Sequence, residues 1–291
     1  MDAENYIYHK EAITMDFYKR ALELKDETVA DRRYIHENAE AGLELPKTKA
    51  YVMDKLKEYG LDPVECGEGV TAMLGNGGKV LLLRADMDGL PMPEKSGEAF
   101  ACPTGKTAHT CGHDFHAAML LSAARILKEQ ESKLKGTVKF MFQPAEETGK
   151  GAPDFINAGA LDGAERILGL HSAPDLPLGT IGLTPGLNNA AVDHFRILVH
   201  GKAAHVSTPQ LGADALYAAS QIVVAIQGLV ARRSSPVEPV LLGVGKFAAG
   251  TTYNAVAEYA ELEGTTRTIS QETRLQVREW IDQTAEQIAA I

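Results

Sequence analysis

Cysteine is scarce in this chain, with three residues among 291. An odd and sparse set excludes the dense disulfide framework of a small secreted domain, and it is typical of free thiols or a metal ligand. The chain also lacks a long hydrophobic run, because its most apolar stretch, 217–231, is interrupted by polar residues and is too short to span a bilayer. The N-terminus is charged and has no apolar signal core. The sequence therefore predicts a cytoplasmic protein without a membrane segment.

The chain also has no excess of basic residues over acidic ones. The formal net charge is −10, with 45% hydrophobic and 23% charged residues. Proteins that bind nucleic acid or anionic membranes present basic patches, so neither partner is expected here. The composition is that of an ordinary globular protein, and the chain is long enough for two domains.

The first part of the chain alternates between helical and strand patterns. Helices are predicted at 14–40, 48–59 and 113–130, and strands at 71–74, 79–83, 137–142 and 167–170. The Asn-Gly-Gly turn at 76–78 predicts a β-hairpin between the first two strands. Strands that alternate with helices indicate an α/β sheet with helices on both faces.

The pattern restarts near residue 188, after a region of Gly and Asn turn residues. It predicts a strand at 193–200, a helix at 213–232, strands at 240–247 and 255–266, and a helix at 271–291. This order indicates an open-faced sheet with two helices on one side. We therefore divide the chain into a domain at 1–187 and a second domain at 188–291.

Residues that can carry chemistry follow the predicted strands of the first domain or open its third predicted helix. They are Asp86, Asp88, Cys111, His113, Glu146, Glu147 and His171. Taken singly, each type has an ordinary structural role: an Asp after a strand is usually a turn or cap residue, and adjacent glutamates are usually solvated. In open α/β sheets, however, sites form at the carboxyl ends of strands. The convergence of all these residues on one rim favours a site.

The residue types at this rim are those of a metal centre. Thiolate, imidazole and carboxylate are the ligands that zinc takes in proteins. Asp88 is placed to orient a neighbouring ligand through a hydrogen bond. Glu146 and Glu147 point in different directions, so one can bind metal while the other accepts a proton from water. Two metal ions together suit the hydrolysis of a stable amide.

Four ordered motifs resemble the aminoacylase and carboxypeptidase superfamily of dinuclear metallohydrolases. They are RADMDGLP at 84–91, TCGHD at 110–114, FQPAEE at 142–147 and LGLH at 168–171, with further likeness in RRYIHE at 32–37 and GKAAH at 201–205. The match is best to the amidohydrolase branch, which includes hippurate hydrolases, indole-acetyl amino acid hydrolases and N-acetyldiaminopimelate deacetylases. The resemblance implies a zinc-peptidase-like α/β catalytic domain, with a mixed sheet flanked by helices. It also implies an α+β ferredoxin-like domain that serves as lid and dimerisation domain.

The resemblance further implies a role for each residue of the rim. The ligands of two divalent ions, zinc first and manganese, cobalt or nickel as alternatives, would be Cys111, His113, Glu147 and His171. Glu146 would act as general base and then as acid, with Asp88 as the catalytic aspartate beside the ligands. Asp86 stands where other branches have a histidine ligand, and we group it with the substrate-binding residues.

In the second domain, the resemblance implies three more site residues. His205 would reach the site of the partner subunit in a homodimer and stabilise the oxyanion, while Asn254 and Arg267 would bind polar groups of the substrate. Family chains normally continue past the lid's second helix, return to the catalytic domain and supply a late histidine ligand. We therefore expect residues 1–291 to be a truncated form that lacks one ligand and is catalytically impaired.

Three functions remain open at this point. The first is hydrolysis of an N-acyl amino acid or a similar small amide. The second is a metallopeptidase of the same superfamily, a dipeptidase or carboxypeptidase; Cys111 in place of a bridging Asp favours the first over it. The third is a truncated, non-catalytic homologue, against which the intact set of ligand-type residues argues.

Overall fold

The computed structural model describes residues 15–290, which fall into two compact units, one ending at Leu178 and the other beginning at Gly179. The predicted boundary at residue 187 falls in the segment without helix or strand that joins the last strand of the first unit to the first strand of the second. The start of the predicted helix at 14–40, the charged N-terminal residues 1–14 and the predicted helix end at Ile291 lie outside the described residues.

The first unit contains five α-helices and five strands among its described residues. The helices are α1 Phe17–Glu23, α2 Lys25–Glu37, α3 Pro46–Glu58, α4 His113–Lys128 and α5 Gly151–Asn157. The strands are β1 Val64–Cys66, β2 Gly69–Leu74, β3 Val80–Asp86, β4 Thr137–Gln143 and β5 Ala164–Gly169. The single helix predicted at 14–40 is two helices, because the backbone turns at Leu24, whose side chain is buried.

The strands form one mixed sheet in the order β1-β2-β4-β3-β5. β3 runs parallel to both β4 and β5, whereas β2 runs antiparallel to β1 and β4. The predicted hairpin between β2 and β3 is therefore wrong, since β4 lies between them. The glycine turn is contacted by the chain that enters β4: Thr137 Oγ1 donates to the Gly77 carbonyl at 3.0 Å, and a Cβ on Gly78 would lie 2.8 Å from the Lys135 carbonyl.

Helices cover both faces of this sheet, as the sequence predicts. On β4, Phe140 and Phe142 are fully buried in a core shared with α2, α3 and α4. Met141 points to the opposite face, where Phe155 of α5 packs. Burial on both faces makes β4 an almost continuous hydrophobic run, which is typical of the interior strand of an α/β sheet.

The second unit is an antiparallel sheet with two long helices on one face. Its elements are β6 Ala191–His200, β7 Ala204–His205, α6 Ala215–Arg233, β8 Val240–Ala249, β9 Ala255–Val256, β10 Tyr259–Thr268 and α7 Gln271–Ala289. The strand order is β6-β10-β8, with β7 and β9 as a separate pair, so the strand predicted at 255–266 is split in two. Gly264 sits at an irregularity between β10 and β8, where a Cβ would lie 2.2 Å from the Phe195 ring.

Helix α6 is 19 residues long and has the length and apolarity of a membrane span, with a mean hydropathy of 1.3 in its most apolar window. Five of its residues, listed here, are buried in the core of the second unit: Ala215, Ala219, Ile222, Ile226 and Leu229. They pack against Leu262 of β10 and Ile281 of α7. These contacts bury one face of the helix, and 28% of its apolar window is buried in all.

Candidate metal centre

The residues of the predicted rim lie at the carboxyl ends of three parallel strands. Asp86 is the last residue of β3, Glu146 follows the end of β4 by three residues, and His171 follows the end of β5 by two. Because these strands run parallel, their carboxyl ends meet at one edge of the sheet. The start of α4 brings Cys111 and His113 to the same edge.

Two backbone features shape this edge. Gly112, directly before α4, has φ +89°, and a Cβ there would lie 2.5 Å from Ser172 Oγ, so only glycine fits between Cys111 and His113. Ala145 has φ +50°, which is uncommon for a residue with a side chain. It directly precedes Glu146 and turns the two glutamates toward the cluster.

Asp88 fixes the turn that carries the glutamates. Its carboxylate accepts the backbone N–H of Glu146 at 3.0 Å and that of Glu147 at 3.3 Å. The same carboxylate lies 3.4 Å from Nδ1 of His113. Asp88 is itself buried, so this single side chain ties the end of β4 to the start of α4.

His113 is the centre of the cluster. Its side chain is fully buried, and neither ring nitrogen has a hydrogen-bond partner within residues 15–290. Nε2 instead faces carboxylate oxygens of Asp86, Glu146 and Glu147 at 3.8, 3.9 and 3.7 Å. A buried imidazole without a partner is rare in native structures and requires an explanation. A cation held between the ring and the carboxylates provides one.

Cys111 and His171 form the opposite side of the cluster. Cys111 Sγ lies 3.5 Å from His171 Nε2. Nδ1 of His171 is 2.8 Å from the Ser172 carbonyl and donates its proton there, which leaves the Nε2 lone pair free for a ligand bond. A backbone acceptor of this kind commonly fixes the tautomer of a metal-bound histidine.

The electrostatics of the cluster also favour a cation. Burial, followed by the carboxylates of Glu147, Glu146 and Asp86, raises the pKa of the Cys111 thiol to about 12. Burial alone would lower the pKa of His113, but the neighbouring carboxylates outweigh it and raise that pKa. The carboxylates contribute to both shifts, and a divalent ion would neutralise their charge while it converts the thiol to thiolate.

Geometry and donor types therefore fit a metal centre. Three groups of side chains hold their ligand atoms within 4.8 Å of one another, and His113 belongs to all three. The groups are Cys111, His113 and His171; His113, Glu146 and Glu147; and Asp86, His113 and His116. They contain every metal ligand that the sequence predicts.

His116 and Ser172 are two polar residues that the sequence reasoning missed. His116 Nδ1 donates to Asp86 Oδ1 at 2.5 Å, and its Nε2 accepts the backbone N–H of Ser172 at 2.8 Å, beside His171. The spacing of His113 and His116 could have identified His116 as a neighbour of the cluster, since residues three apart share one face of a helix.

Asp86 has both oxygens engaged in the interior. Arg84 donates to its second oxygen at 2.6 Å, and the carboxylate is fully buried. Burial opposes ionisation, but the hydrogen bond from His116 and the charge of Arg84 prevail and lower the pKa of Asp86 to about 2. The carboxylate of Asp86 therefore holds the ring of His116 in place. It is buried and does not face the solvent from which a substrate would enter.

The remaining predicted site residues lie in the second unit. His205 is exposed on β7, with Nδ1 2.7 Å from Ser207 Oγ. The backbone carbonyl of Asn254 accepts from the N–H of Val206, so His205 and Asn254 lie near each other. Arg267 lies on β10, where its guanidinium donates to the Thr266 carbonyl at 3.0 Å.

Comparisons with known proteins agree on one family. The model of the Peptidase family M20/M25/M40 matches residues 82–275. An N-acetyl-L-cysteine deacetylase from Bacillus subtilis (strain 168) is 41% identical over 92% of this chain. The N-acyl-L-amino acid amidohydrolase of Geobacillus stearothermophilus is 34% identical over 93% of this chain.

A solved structure shows the same fold at similar identity. The YXEP protein of Bacillus subtilis, a dinuclear metal-binding peptidase from the M20 family, has a TM-score of 0.78 and 34% identity over 92% of this chain. The chain spans 71% of that protein, 65% of the B. subtilis deacetylase and 75% of the Geobacillus amidohydrolase.

Proposed function

Because this chain belongs to the Peptidase family M20/M25/M40, we propose that it is a metal-dependent amidohydrolase that cleaves N-acyl amino acids or related small amides. One observation carries the proposal. The fully buried, unpartnered imidazole of His113 stands among carboxylates, a thiol and a second imidazole at the carboxyl edge of a parallel sheet. The deacetylase and amidohydrolase relatives support an amide as substrate.

Four residues would hold two divalent ions: Cys111, His113, Glu147 and His171. Bound there, such ions supply Lewis acidity toward water and toward the carbonyl oxygen. The thiol and imidazole donors favour zinc, although manganese, cobalt and nickel also suit a site rich in carboxylate and imidazole.

Glu146 is the residue that moves protons. Its carboxylate is half-buried at the rim and reaches to 3.9 Å from His113, while the backbone N–H is fixed by Asp88. We propose that Glu146 accepts a proton from the attacking water and then delivers it to the nitrogen of the leaving amine. Asp88 positions both Glu146 and His113, so its carboxylate acts through its neighbours.

The second unit would complete the site from a partner subunit. In this proposal the protein is a homodimer through the second unit, where His205 stabilises the oxyanion in trans. Asn254 and Arg267 bind polar groups of the substrate, among them its carboxylate. Support comes from the exposed imidazole of His205 and from α6, which leaves Tyr217 65% and Val224 71% exposed. The free thiol of Cys111 supports placement in the reducing cytoplasm.

Metal content tests the centre directly. We expect purified wild-type protein to hold divalent metal and the double variant Cys111→Ser/His113→Ala to lose most of it, by elemental analysis after dialysis. Glu146→Gln, which keeps size and hydrogen bonding but cannot take a proton, serves as the matched control and retains the metal. Equal metal in wild type and double variant would reject the assigned ligands.

Hydrolysis tests the reaction. In a full-length background, turnover of N-acetyl and N-benzoyl amino acids with poor cleavage of dipeptides supports the amidohydrolase, and the reverse preference would favour a peptidase. In the same background, Glu146→Gln should lose about 10²–10⁴-fold in kcat, the usual loss for a positioned general base. A Glu146→Gln protein that lost its metal would instead show that Glu146 and Glu147 have exchanged roles.

A further inference from the structure

His171 is a proposed ligand that receives little support from apolar packing. It lies two residues beyond β5, which is at the edge of the sheet and pairs with β3 alone among the described strands. Ile167 and Leu168 in β5 and Leu170 after it are each more than half exposed. Buried apolar contacts fix a side chain to a core, and this end of β5 has few of them. Other interactions must therefore hold the imidazole of His171 beside Cys111.

Ser172 supplies three hydrogen bonds at this place. Its backbone N–H donates to His116 Nε2 at 2.8 Å, its carbonyl accepts from His171 Nδ1 at 2.8 Å, and its hydroxyl donates to the Cys111 carbonyl at 2.9 Å. The amide, the carbonyl and the hydroxyl of this residue are thus all engaged. Ser172 therefore connects the end of β5 both to the segment that precedes α4 and to the first turn of that helix.

The same hydrogen bonds fix the proton on each histidine ring. Nε2 of His116 accepts from the backbone of Ser172, so the proton of His116 is on Nδ1, which donates to Asp86. Arg84 holds the other oxygen of Asp86 at 2.6 Å, and this carboxylate is fully buried. The peptide bond after His171 is thereby anchored, through His116, to the interior of β3. The ring of His116 also packs edge-on against that of His171, with centroids 4.6 Å apart.

We propose that His116 and Ser172 are positioning residues of the metal centre, which hold the imidazole of His171 where it and Cys111 can bind one ion. Both nitrogens of His116 are engaged in hydrogen bonds, so its ring has no lone pair left for the ion. Asp86 acts through His116 in the same way. The inference rests on the proposed metal centre and adds the residues that shape it.

Two substitutions at His116 separate its two hydrogen bonds. In His116→Gln the side-chain oxygen can take the place of Nε2 and accept the N–H of Ser172, whereas in His116→Asn the amide can take the place of Nδ1 and donate to Asp86. Both variants lose the ring and its packing. We expect His116→Asn to weaken metal binding about 10–100-fold and His116→Gln to retain most of the affinity. A role confined to the partnership with Asp86 would give the reverse order.

Cobalt reports on this side of the centre without any need for turnover. Metal-free protein is titrated with Co²⁺, because a thiolate bound to Co²⁺ gives a charge-transfer absorption band in the near ultraviolet. We expect wild type and His116→Gln to develop this band with similar intensity, and His116→Asn to develop a weaker band at higher Co²⁺ concentration. Cys111→Ser should remove the band and so identify its source. Competition with a chelator gives the corresponding affinities for Zn²⁺.

A milder variant tests Ser172. Ser172→Ala removes the hydroxyl bond to Cys111 and keeps both backbone bonds, so we expect a loss of about tenfold in affinity, the lower end of the same range. Ser122→Ala is the matched control, since Ser122 is also partly buried and its hydroxyl pairs with Thr28 at 2.6 Å, away from the cluster. Urea denaturation of the metal-free variants should give similar stabilities for His116→Asn and His116→Gln, which excludes unfolding as the cause of their difference.

The outcomes separate this inference from the proposed function. Equal metal affinity in His116→Asn and His116→Gln would overturn the positioning role of His116, even in a protein that binds metal through Cys111. A loss in Ser172→Ala no greater than in Ser122→Ala would overturn that of Ser172. A wild-type protein without the thiolate band would reject the metal centre and this inference with it. The expected order of affinities, in a full-length protein that hydrolyses no amide, would retain the positioning residues and reject the reaction.

Discussion

Asp88 shows how one carboxylate can organise a reactive centre. It accepts two consecutive backbone N–H groups and approaches the ring of His113, so the positions of the proposed base and of a proposed ligand are set together. The sequence could predict this role, because an Asp directly after a buried strand faces the edge where ligands converge. It could not predict the support from His116 and Ser172, since their hydrogen bonds depend on how β5 lies beside β3.

His109 gives a prediction for the pH dependence of stability at the residue scale. Burial lowers its pKa to about 4, against 6.5 in the unfolded chain. Between these pH values the unfolded state binds the proton and the folded state does not, so stability falls as pH decreases from about 6.5 to 4. We expect this group to remove roughly 3 kcal/mol over that range.

The check is urea denaturation of metal-free wild type and His109→Phe at pH 7, 5.5 and 4. The difference in unfolding free energy should shift in favour of the variant as the pH falls. A constant difference across the range would show that the buried imidazole does not titrate between these values.

At the scale of the elements, the sequence predicts the bounds of the helices more accurately than it predicts which strands lie side by side. Helix α4 begins at His113, as its apolar spacing and preceding glycine indicate, and α6 and α7 differ from their predicted bounds by a few residues. The pairing of β2 with β4 was missed because an Asn-Gly-Gly turn reports only a local reversal of the chain. Which strand pairs with β2 depends on the residues of β4, some sixty positions further along the chain.

The cap of α6 gives a prediction at the element scale. The side chain of Asp214 accepts the N–H groups of Leu216 at 3.0 Å and Tyr217 at 3.1 Å. Asp214→Ala should cost about 1 kcal/mol of unfolding free energy, whereas Asp214→Asn, which can still cap, should cost much less. Chemical denaturation of the three proteins provides the measurement, and equal losses in both variants would point to charge instead of capping.

At the scale of the whole molecule, the sequence predicts two domains divided at residue 187, whereas the two compact units of the structure divide between Leu178 and Gly179. Residues 170–190 contain no helix or strand, so no periodic pattern marks where one unit ends. The site residues of the second unit, His205, Asn254 and Arg267, belong to a separate body from the cluster around His113. The catalytic role proposed for them requires that they reach the cluster of a partner subunit.

Complementation between subunits tests that requirement. In a full-length background, we expect a mixture of His205→Ala and Glu146→Gln proteins to recover part of the activity that neither has alone. One of the two sites in each hybrid dimer would hold an intact Glu146 and receive an intact His205 from its partner. The assay is hydrolysis of an N-acyl amino acid after co-refolding, with hybrid formation verified by mass. A verified hybrid without activity would place His205 outside the partner's site.

The strand order has a consequence for how the protein is made. As the chain leaves the ribosome, β2 and β3 emerge well before β4, which must later insert between them. Cys111 and His113 likewise emerge more than thirty residues ahead of Glu147 and further still ahead of His171. A nascent chain would therefore offer a metal ion an incomplete set of the proposed ligands on an unfinished sheet. If these residues hold the ion as proposed, its loading is a late event that follows closure of the first unit.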